Sequence, residues 1–148
     1  MNWLEVPPGR SWLDVGCGTG SLTRLILERY QPKDIFSIDS SADFIAHAQR
    51  SIPHPSVHFS VGQAESLELG SGSVDAVVSG FVLNFVDQPE IALSEMLRVT
   101  RPGGRVGAVV WDYAAGMQML RYFWDAAVAL DSTAESLDEG VRFPICRE

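Results

Sequence analysis

Short apolar runs alternate along the chain with segments in which apolar residues recur every three or four positions. The first pattern is typical of buried strands, and the second is typical of helices that cover a sheet. Their regular alternation predicts a layered α/β domain with a mostly parallel sheet. The predicted strands cover 11–15, 34–39, 57–61, 74–79 and 105–111.

Four segments have the spacing of amphipathic helices. The first ends before Gln31-Pro32, the second begins after Ser40-Ser41, the third begins at Pro89, and the fourth covers 117–130. Ser40 and Asp43 resemble a capping box at the start of the second helix. The apolar face of that helix is expected to contain Phe44, Ile45, Ala48 and Ile52. The remaining predictions are a loop over 63–73, a turn over 101–104 and an acidic, irregular tail over 131–148.

The last predicted strands differ in how they are expected to meet solvent. The third strand alternates apolar and polar residues, so one of its faces meets water and an edge position is expected. The segment 106–111 has no polar face and is expected inside a sheet, yet 141–143 is short and runs into Pro144. We therefore expect residues 1–148 to form a single domain with an incomplete sheet. A missing C-terminal segment or a second chain in a dimer is expected to cover the fifth strand.

Composition and charge narrow the possible partners. The chain has 148 residues, of which 46% are hydrophobic and 20% charged, as in ordinary globular domains. A net charge of −8 without a basic stripe argues against nucleic-acid binding. The sequence has no apolar run long enough for a membrane span and no secretory signal. Cys17 and Cys146 are interpreted as free thiols, and a cytoplasmic location is predicted.

The candidate chemistry lies directly after the first strand. Gly16, Gly18 and Gly20 separate that strand from a helix, and they allow a tight turn with close backbone approach to a ligand. A helix N-terminus at that point favours a carboxylate or phosphate group. Glycine-rich turns also occur for structural reasons, so this signal alone is weak.

Asp39 ends the second strand, nineteen residues after Gly20. A carboxylate at this spacing accepts hydrogen bonds from ribose hydroxyls in dinucleotide-binding folds. The structural alternative is a helix cap. Because strand, glycine loop, helix, strand and acid occur in register, the ribose interpretation is favoured.

Four segments together make the chain resemble the class I S-adenosylmethionine-dependent methyltransferases that act on small molecules such as ubiquinone and menaquinone precursors. They are LDVGCGTG, SIDSS, VDAVVSGFVLNFV and RVTRPGGRV. Asp14 stands two residues before the first glycine, and Ser21 occupies the position where a dehydrogenase fingerprint has its last glycine. Both features separate the chain from the NAD enzymes.

The resemblance implies a Rossmann-like doubly wound sheet of order 3-2-1-4-5, without the family's last two strands, and S-adenosylmethionine as cofactor. It places the glycine loop at the methionine end and Asp39 at the ribose. It places the segment from Gln63 at the adenine edge, although the family often has an acid there. Phe44 matches a position against adenine, with core packing as an equal alternative. The implied cofactor-binding residues are Asp14, Gly16, Cys17, Gly18, Gly20, Asp39, Ser40, Phe44, Gln63, Ala64, Glu65, Ser79 and Gly80.

The implied reaction is in-line displacement of a methyl group onto a small molecule, which needs alignment more than acid–base chemistry. Asn84, Asp112 and Tyr113 follow the fourth and fifth strands and are interpreted as caps or lining residues, so no catalytic residue is assigned. No metal site is predicted. Two alternatives remain: a non-catalytic adenosyl-binding module completed by a partner chain, and an NAD-linked oxidoreductase.

Overall fold

Five parallel strands form one sheet in the computed structural model of the chain, which describes residues 4–143 and 145. Their order is β3-β2-β1-β4-β5, so the predicted Rossmann-like α/β fold is confirmed. The strands are β1 (Ser11–Val15), β2 (Asp34–Asp39), β3 (Val57–Val61), β4 (Val74–Gly80) and β5 (Thr100–Val109). The helices are α1 (Ser21–Tyr30), α2 (Ala42–Ser51), α3 (Pro89–Val99), α4 (Gln118–Leu130) and α5 (Glu139–Arg142).

The centre of the sheet is β1, whose side chains alternate between two apolar layers. Leu13 packs in a cluster with Met96 of α3, and Trp12 packs in a second cluster with Ile26 of α1. All four of these side chains are fully buried. Each such side chain stabilises the fold by roughly 1.5–3 kcal/mol relative to leaving it exposed. The two layers fix β1 and the start of the segment that follows it.

The start of α2 differs from the sequence prediction. Ser41, not Ser40, is the N-cap, and its hydroxyl accepts a hydrogen bond from the Phe44 amide at 3.3 Å. The apolar face consists of Ile45, Ala48 and Ile52, which are buried. Phe44 is 49% exposed, because it lies one residue outside this i, i+3, i+7 stripe. The core-packing alternative for Phe44 is therefore wrong.

The fifth strand also differs from the prediction. It covers Thr100–Val109 rather than 105–111, and the predicted turn over 101–104 is a bulge within it. The pairing shifts from Val74 with Thr100 to Ala76 with Arg105 across this bulge. Among the described residues no strand pairs with the outer edge of β5, and Val109 is 46% exposed. Cover of this edge by a second chain or a further segment stays a prediction.

The predicted helix over 117–130 is confirmed as α4, but residues 131–142 form a 3-10 turn and α5 instead of the predicted irregular tail. No residue of α4 is buried, so its predicted apolar face does not reach the core. It packs on a 3-10 turn over Ser132–Leu137, and Arg121 pairs with Asp138 before α5. Asp138 also caps α5 by accepting the Gly140 amide proton, which shows why the acidic residues nucleate short helices here. Cys146 lies outside the described residues.

Two side chains of α3 hold the loop over 63–73 in place. The Glu95 carboxylate accepts the Leu67 amide proton at 2.9 Å. The Arg98 guanidinium donates to the carbonyl oxygens of Leu69 at 2.8 Å and Leu67 at 2.9 Å, and it also bonds Glu95. These contacts hold the pKa of Glu95 down at about 2. The loop therefore has a fixed path although its composition is rich in glycine and serine.

Replacing Arg98 should release this loop. We expect Arg98→Ala to accelerate cleavage after Glu65 or Glu68 by a glutamate-specific protease, since both carbonyl oxygens that Arg98 binds lie in the loop. Cleavage sites and rates are measured by mass spectrometry of timed digests. Arg50→Ala, at the exposed end of α2, is the matched control. Equal cleavage rates in both variants would show that Arg98 does not order the loop.

Candidate functional site

The loop between β1 and α1 is tied to β2 by backbone hydrogen bonds. The amides of Gly16 and Cys17 both donate to the carbonyl oxygen of Ile38, each at 2.8 Å. Gly16, Gly18 and Gly20 have φ values of 72°, 53° and 90°, in the region that favours glycine. A Cβ on Gly16 would also lie 2.6 Å from Cγ1 of Val82, whereas a Cβ on Gly18 would meet open space.

Asp39 connects this loop to the start of α2. Its Oδ2 accepts the Gly18 amide proton at 2.8 Å, and its Oδ1 accepts the Ser41 amide proton at 2.9 Å. A carboxylate has about four acceptor positions, so each oxygen keeps room for a further donor. Asp39 lines a cavity of about 180 Å³. Of the other predicted residues, Gly16, Ser40, Gln63, Ala64 and Glu65 line the same cavity.

A second cavity of about 370 Å³ lies on the other side of Gly16, which lines both cavities. Two buried polar atoms at its wall, Oδ1 of Asp14 and Oγ of Ser79, have no hydrogen-bond partner among the described residues. A buried polar atom without a partner needs an explanation, and a ligand or water that bonds it is one of the possible explanations. Cys17 and Gly80, also predicted from the sequence, complete this wall.

The electrostatics of Asp14 follow from its burial. Burial raises the pKa of its carboxyl to about 7, although the Thr23 hydroxyl, which donates to Oδ2 at 2.7 Å, lowers it. Thr23 in turn contacts the Ser37 hydroxyl at 2.9 Å, which fixes the orientation of the group. A cationic ligand beside Oδ1 would favour the ionised carboxylate.

Cys17 is a buried free thiol in the loop. Burial, together with the charges of Asp14 and Asp39, raises the pKa of the thiol well above its ordinary value. The thiolate, which is the nucleophilic form, is therefore scarce at neutral pH. This environment is in keeping with the interpretation of Cys17 as a small residue that fills space.

Three of the residues predicted to bind the cofactor remain: two glycines that shape the loop through their backbone, and Phe44, which lies outside both cavities. Gly18 contributes its amide to Asp39, and Gly20 is the N-cap residue of α1. Phe44 lines neither cavity. Sequence reasoning missed several lining residues after β4, although they lie in or just after a segment that carried the resemblance. They are Phe81, Val82, Phe85, Val86 and Asp87.

Asn84 has a structural role after β4. Its amide group donates to the carbonyl oxygen of Trp111 at 3.0 Å and accepts the Trp111 amide proton at 2.8 Å. Asp112 accepts the Ala115 amide proton at 2.8 Å and so caps a turn.

In residues 4–143 and 145, no group of three His, Cys, Asp or Glu side chains could hold a metal. No helix within that part is long and apolar enough to cross a membrane.

The model of the methyltransferase domain family matches residues 13–108, which include every residue that lines the two cavities except Val109. The chain belongs to this methyltransferase family. Its relatives include the 2-phytyl-1,4-naphtoquinone methyltransferase of Thermosynechococcus vestitus, which is 37% identical over 117 residues. That match covers 77% of this chain and 51% of the relative. The chain thus spans about half the length of this curated methyltransferase.

Solved structures share the fold. An S-adenosylmethionine-dependent methyltransferase from Mesorhizobium loti superposes with a TM-score of 0.67 at 23% identity, over 73% of this chain and 50% of that one. The cyclase SpnF superposes with a TM-score of 0.65 at 31% identity, over 70% of this chain and 39% of that one. A fold shared with a protein named as a cyclase means that the reaction must be argued from the site.

The glycines of the loop should differ in their tolerance of a side chain. We expect Gly16→Ala to destabilise the methyltransferase domain by about 3 kcal/mol or more, since a left-handed alanine and overlap with Val82 both cost free energy. Gly18→Ala, the matched control, should cost only about 1 kcal/mol because its Cβ meets open space. Urea unfolding measures both. Equal losses would contradict the role of Val82.

The buried Asp14 should make stability depend on pH. Its pKa is 3.8 when unperturbed and about 7 in the fold. The unfolded chain therefore loses this proton first as the pH rises. Wild type is expected to lose up to about 4 kcal/mol of stability between pH 4 and 7 through this group.

Asp14→Asn removes that loss. The melting temperature of the variant relative to wild type should rise from pH 4 to about 7 and then stay level, as measured by differential scanning calorimetry. Asp125→Asn, on the exposed side of α4, provides the matched control. A difference between Asp14→Asn and wild type that stays constant with pH would refute the raised pKa.

Proposed function

We propose that the chain binds S-adenosylmethionine across the two cavities and that the protein transfers its methyl group to a small-molecule acceptor. The observation that carries the proposal is the pair of unpartnered buried atoms, Oδ1 of Asp14 and Oγ of Ser79, in the larger cavity. Asp39 faces the smaller cavity, and Gly16 borders both. One elongated ligand with an amino-acid end and a nucleoside end fits this division.

The amino-acid end of the cofactor carries an ammonium group, which supplies hydrogen-bond donors. Oδ1 of Asp14 and Oγ of Ser79 can each accept a hydrogen bond from this group, and the Asp14 carboxylate also provides a negative charge. The missing Cβ atoms of the glycine loop let the cofactor approach the backbone. We therefore assign the methionine end to the larger cavity, next to Asp14, Ser79 and Gly80.

The nucleoside end fits the smaller cavity. Asp39 keeps acceptor capacity on both oxygens after bonding Gly18 and Ser41, which suits two ribose hydroxyls. The adenine is assigned to the segment Gln63–Glu65, which lines the same cavity and lies two residues before Leu67, where the contacts with α3 begin. The amide of Gln63 offers both an acceptor and a donor for the adenine edge.

The charge of the cavities favours this cofactor over a nicotinamide dinucleotide. The charged residues that line them, Asp14, Asp39, Glu65 and Asp87, are all acidic, and no Lys or Arg of the described chain joins them. Acidic walls attract a cation and repel the two negative charges of a pyrophosphate. An adenosyl sulfonium is cationic at its reactive end, so it suits these walls.

When bound, the cofactor supplies an electrophilic methyl group on a positively charged sulfur. The chain's own contribution is alignment. The loop from Gly16 to Gly20 and the end of β4 fix where the donor lies, and Asp14 fixes its amino end. Alignment of reactants removes several kcal/mol from a displacement barrier without any general base. The absence of an assigned base is compatible with this mechanism.

The acceptor is proposed to be a small metabolite, since the relative in Thermosynechococcus vestitus is named for a naphtoquinone. The reaction breaks the bond between carbon and sulfur and forms one between the methyl carbon and the acceptor atom. A proton then leaves the acceptor if that atom carried one. The predicted cytoplasmic location of the protein stays a prediction.

The role of Asp39 is tested by pairing a variant with a ligand that lacks the diol. We expect Asp39→Asn to weaken adenosine binding at least about tenfold, because charge-assisted hydrogen bonds to two hydroxyls weaken. Binding of 2′,3′-dideoxyadenosine should change by less than about twofold. Affinities are measured by ligand-observed NMR.

The control variant is Asp43→Asn, which alters an exposed acid in the first turn of α2 and should bind both nucleosides like wild type. If Asp39→Asn weakens the two nucleosides equally, Asp39 acts only by shaping the loop through Gly18. If it weakens neither, the ribose assignment is wrong.

A further inference from the structure

Five aromatic side chains form a continuous series that begins with Phe81 at the larger cavity, and we call this series the aromatic arc. Phe81 stacks on Trp111 with centroids 4.3 Å apart and an interplanar angle of 27°. The ring centroids of Trp111 and Tyr113 are 6.5 Å apart. The centroid of Phe143 lies 5.6 Å from that of Tyr113 and 5.6 Å from that of Phe85. The arc follows the carboxyl ends of β4 and β5, where open α/β sheets bind their ligands.

The first two rings of the arc are held rigidly. Phe81 has a φ of 62°, a strained conformation for a bulky residue, and its amide donates to the Val109 carbonyl oxygen at 2.7 Å. Two hydrogen bonds with Asn84, one donated by its amide nitrogen and one accepted by its amide oxygen, hold the backbone of Trp111 in place. Strained residues that the surrounding structure over-determines cluster at functional sites. Here the strain places a ring at the mouth of a cavity.

These rings keep much of their surface uncovered. Phe81 is 45% exposed and Trp111 is 37% exposed, although both are stacked and backbone-bonded. Phe81 lines the larger cavity together with Ser79 and Gly80, the residues assigned to the methionine end of the cofactor. The exposed surface of Phe81 therefore lies beside the place where the reactive end of the donor is proposed to bind, and Trp111 stacks on Phe81 there.

The charges around this position favour a particular kind of acceptor. Asp14 is the only charged side chain among the described residues that line the larger cavity. Arg142, whose guanidinium lies over the Phe143 ring, 5.5 Å from its centroid, is a basic group at the part of the series away from Phe81. An anionic acceptor at the larger cavity would thus be repelled by Asp14, and no Lys or Arg of the described residues lines that cavity to offset the repulsion.

We propose that Phe81 and Trp111 determine the acceptor by stacking, and that the acceptor is a planar, uncharged aromatic ring. This inference rests on the proposed function, because it takes the larger cavity as the donor's place. A flat ring that packs on rigid aromatic faces loses little conformational entropy and gains dispersion and quadrupole interactions. A saturated ring of the same size is puckered and cannot make the same face-to-face contact.

The test compares 2-naphthol with decahydro-2-naphthol, which has the same skeleton without aromaticity. Each is titrated into the full chain in the presence of saturating S-adenosylhomocysteine, and binding is followed by saturation-transfer NMR and calorimetry. We expect 2-naphthol to bind at least about tenfold more tightly than its saturated analogue. Phe81→Leu and Trp111→Leu should each weaken 2-naphthol by roughly two- to tenfold and leave decahydro-2-naphthol unchanged.

Further variants separate stacking from folding. Trp111→Phe should retain the preference for the aromatic probe, because it keeps a ring in the same place. Phe123→Leu, on the exposed surface of α4 outside the arc, is the matched control and should bind both probes like wild type. Each variant must keep its affinity for S-adenosylhomocysteine, which shows that the domain is folded.

The outcomes distinguish this inference from the function on which it rests. If S-adenosylhomocysteine binds but the two probes bind equally, the aromatic acceptor is wrong and the proposed function stands. The inference is equally overturned if Phe81→Leu and Trp111→Leu both leave 2-naphthol binding unchanged. If wild type does not bind S-adenosylhomocysteine, the proposed function fails and this inference fails with it.

Discussion

The hydrogen bond from the Gly18 amide to the Asp39 carboxylate is the constraint on which the rest of the site depends. It ties the loop after β1 to the end of β2, and the two bonds to the Ile38 carbonyl oxygen strengthen the same connection. Because the loop is held there, Gly16 forms the wall between the two cavities. An acid predicted as a ligand for ribose is thus also the residue that shapes the loop. Both roles use different lone pairs of one carboxylate.

A second feature of the site is that the buried carboxyl group of Asp14 lowers the stability of the fold. A carboxyl group that is 1% exposed, with one oxygen unpartnered, is unfavourable in the ionised form. The domain tolerates this group because the Thr23 hydroxyl satisfies the other oxygen and the surrounding layers of β1 are well packed. Stability is reduced at the place where a cationic ligand would restore it, and such trade-offs are common at binding sites.

The features that could be predicted from the sequence are those that depend on short local patterns and on the order of the strands. The strand bounds near β1, β2 and β3, the glycine conformations and the position of Asp39 each follow from short patterns with one physical solution. The errors arose where tertiary packing decides. Phe44 lies just outside the buried stripe of α2, the bulge in β5 depends on pairing with β4, and α4 turns its apolar side away from the core. Periodicity shows that a face is apolar, but it does not show what covers that face.

The aromatic arc could not be predicted from the sequence, because tertiary packing brings its rings together. The loop, Asp14 and Asp39 come from the first two strands, and the proposed function assigns them to the adenosyl donor. Phe81 and Trp111 come from the ends of β4 and β5 and meet only through the left-handed backbone of Phe81 and the hydrogen bonds with Asn84. A related fold belongs to a protein named as a cyclase, so the cofactor end alone does not fix the reaction. The proposed stacking residues follow the fourth and fifth strands and Phe81 lines the larger cavity, so these segments are where differences in acceptor between related proteins are expected.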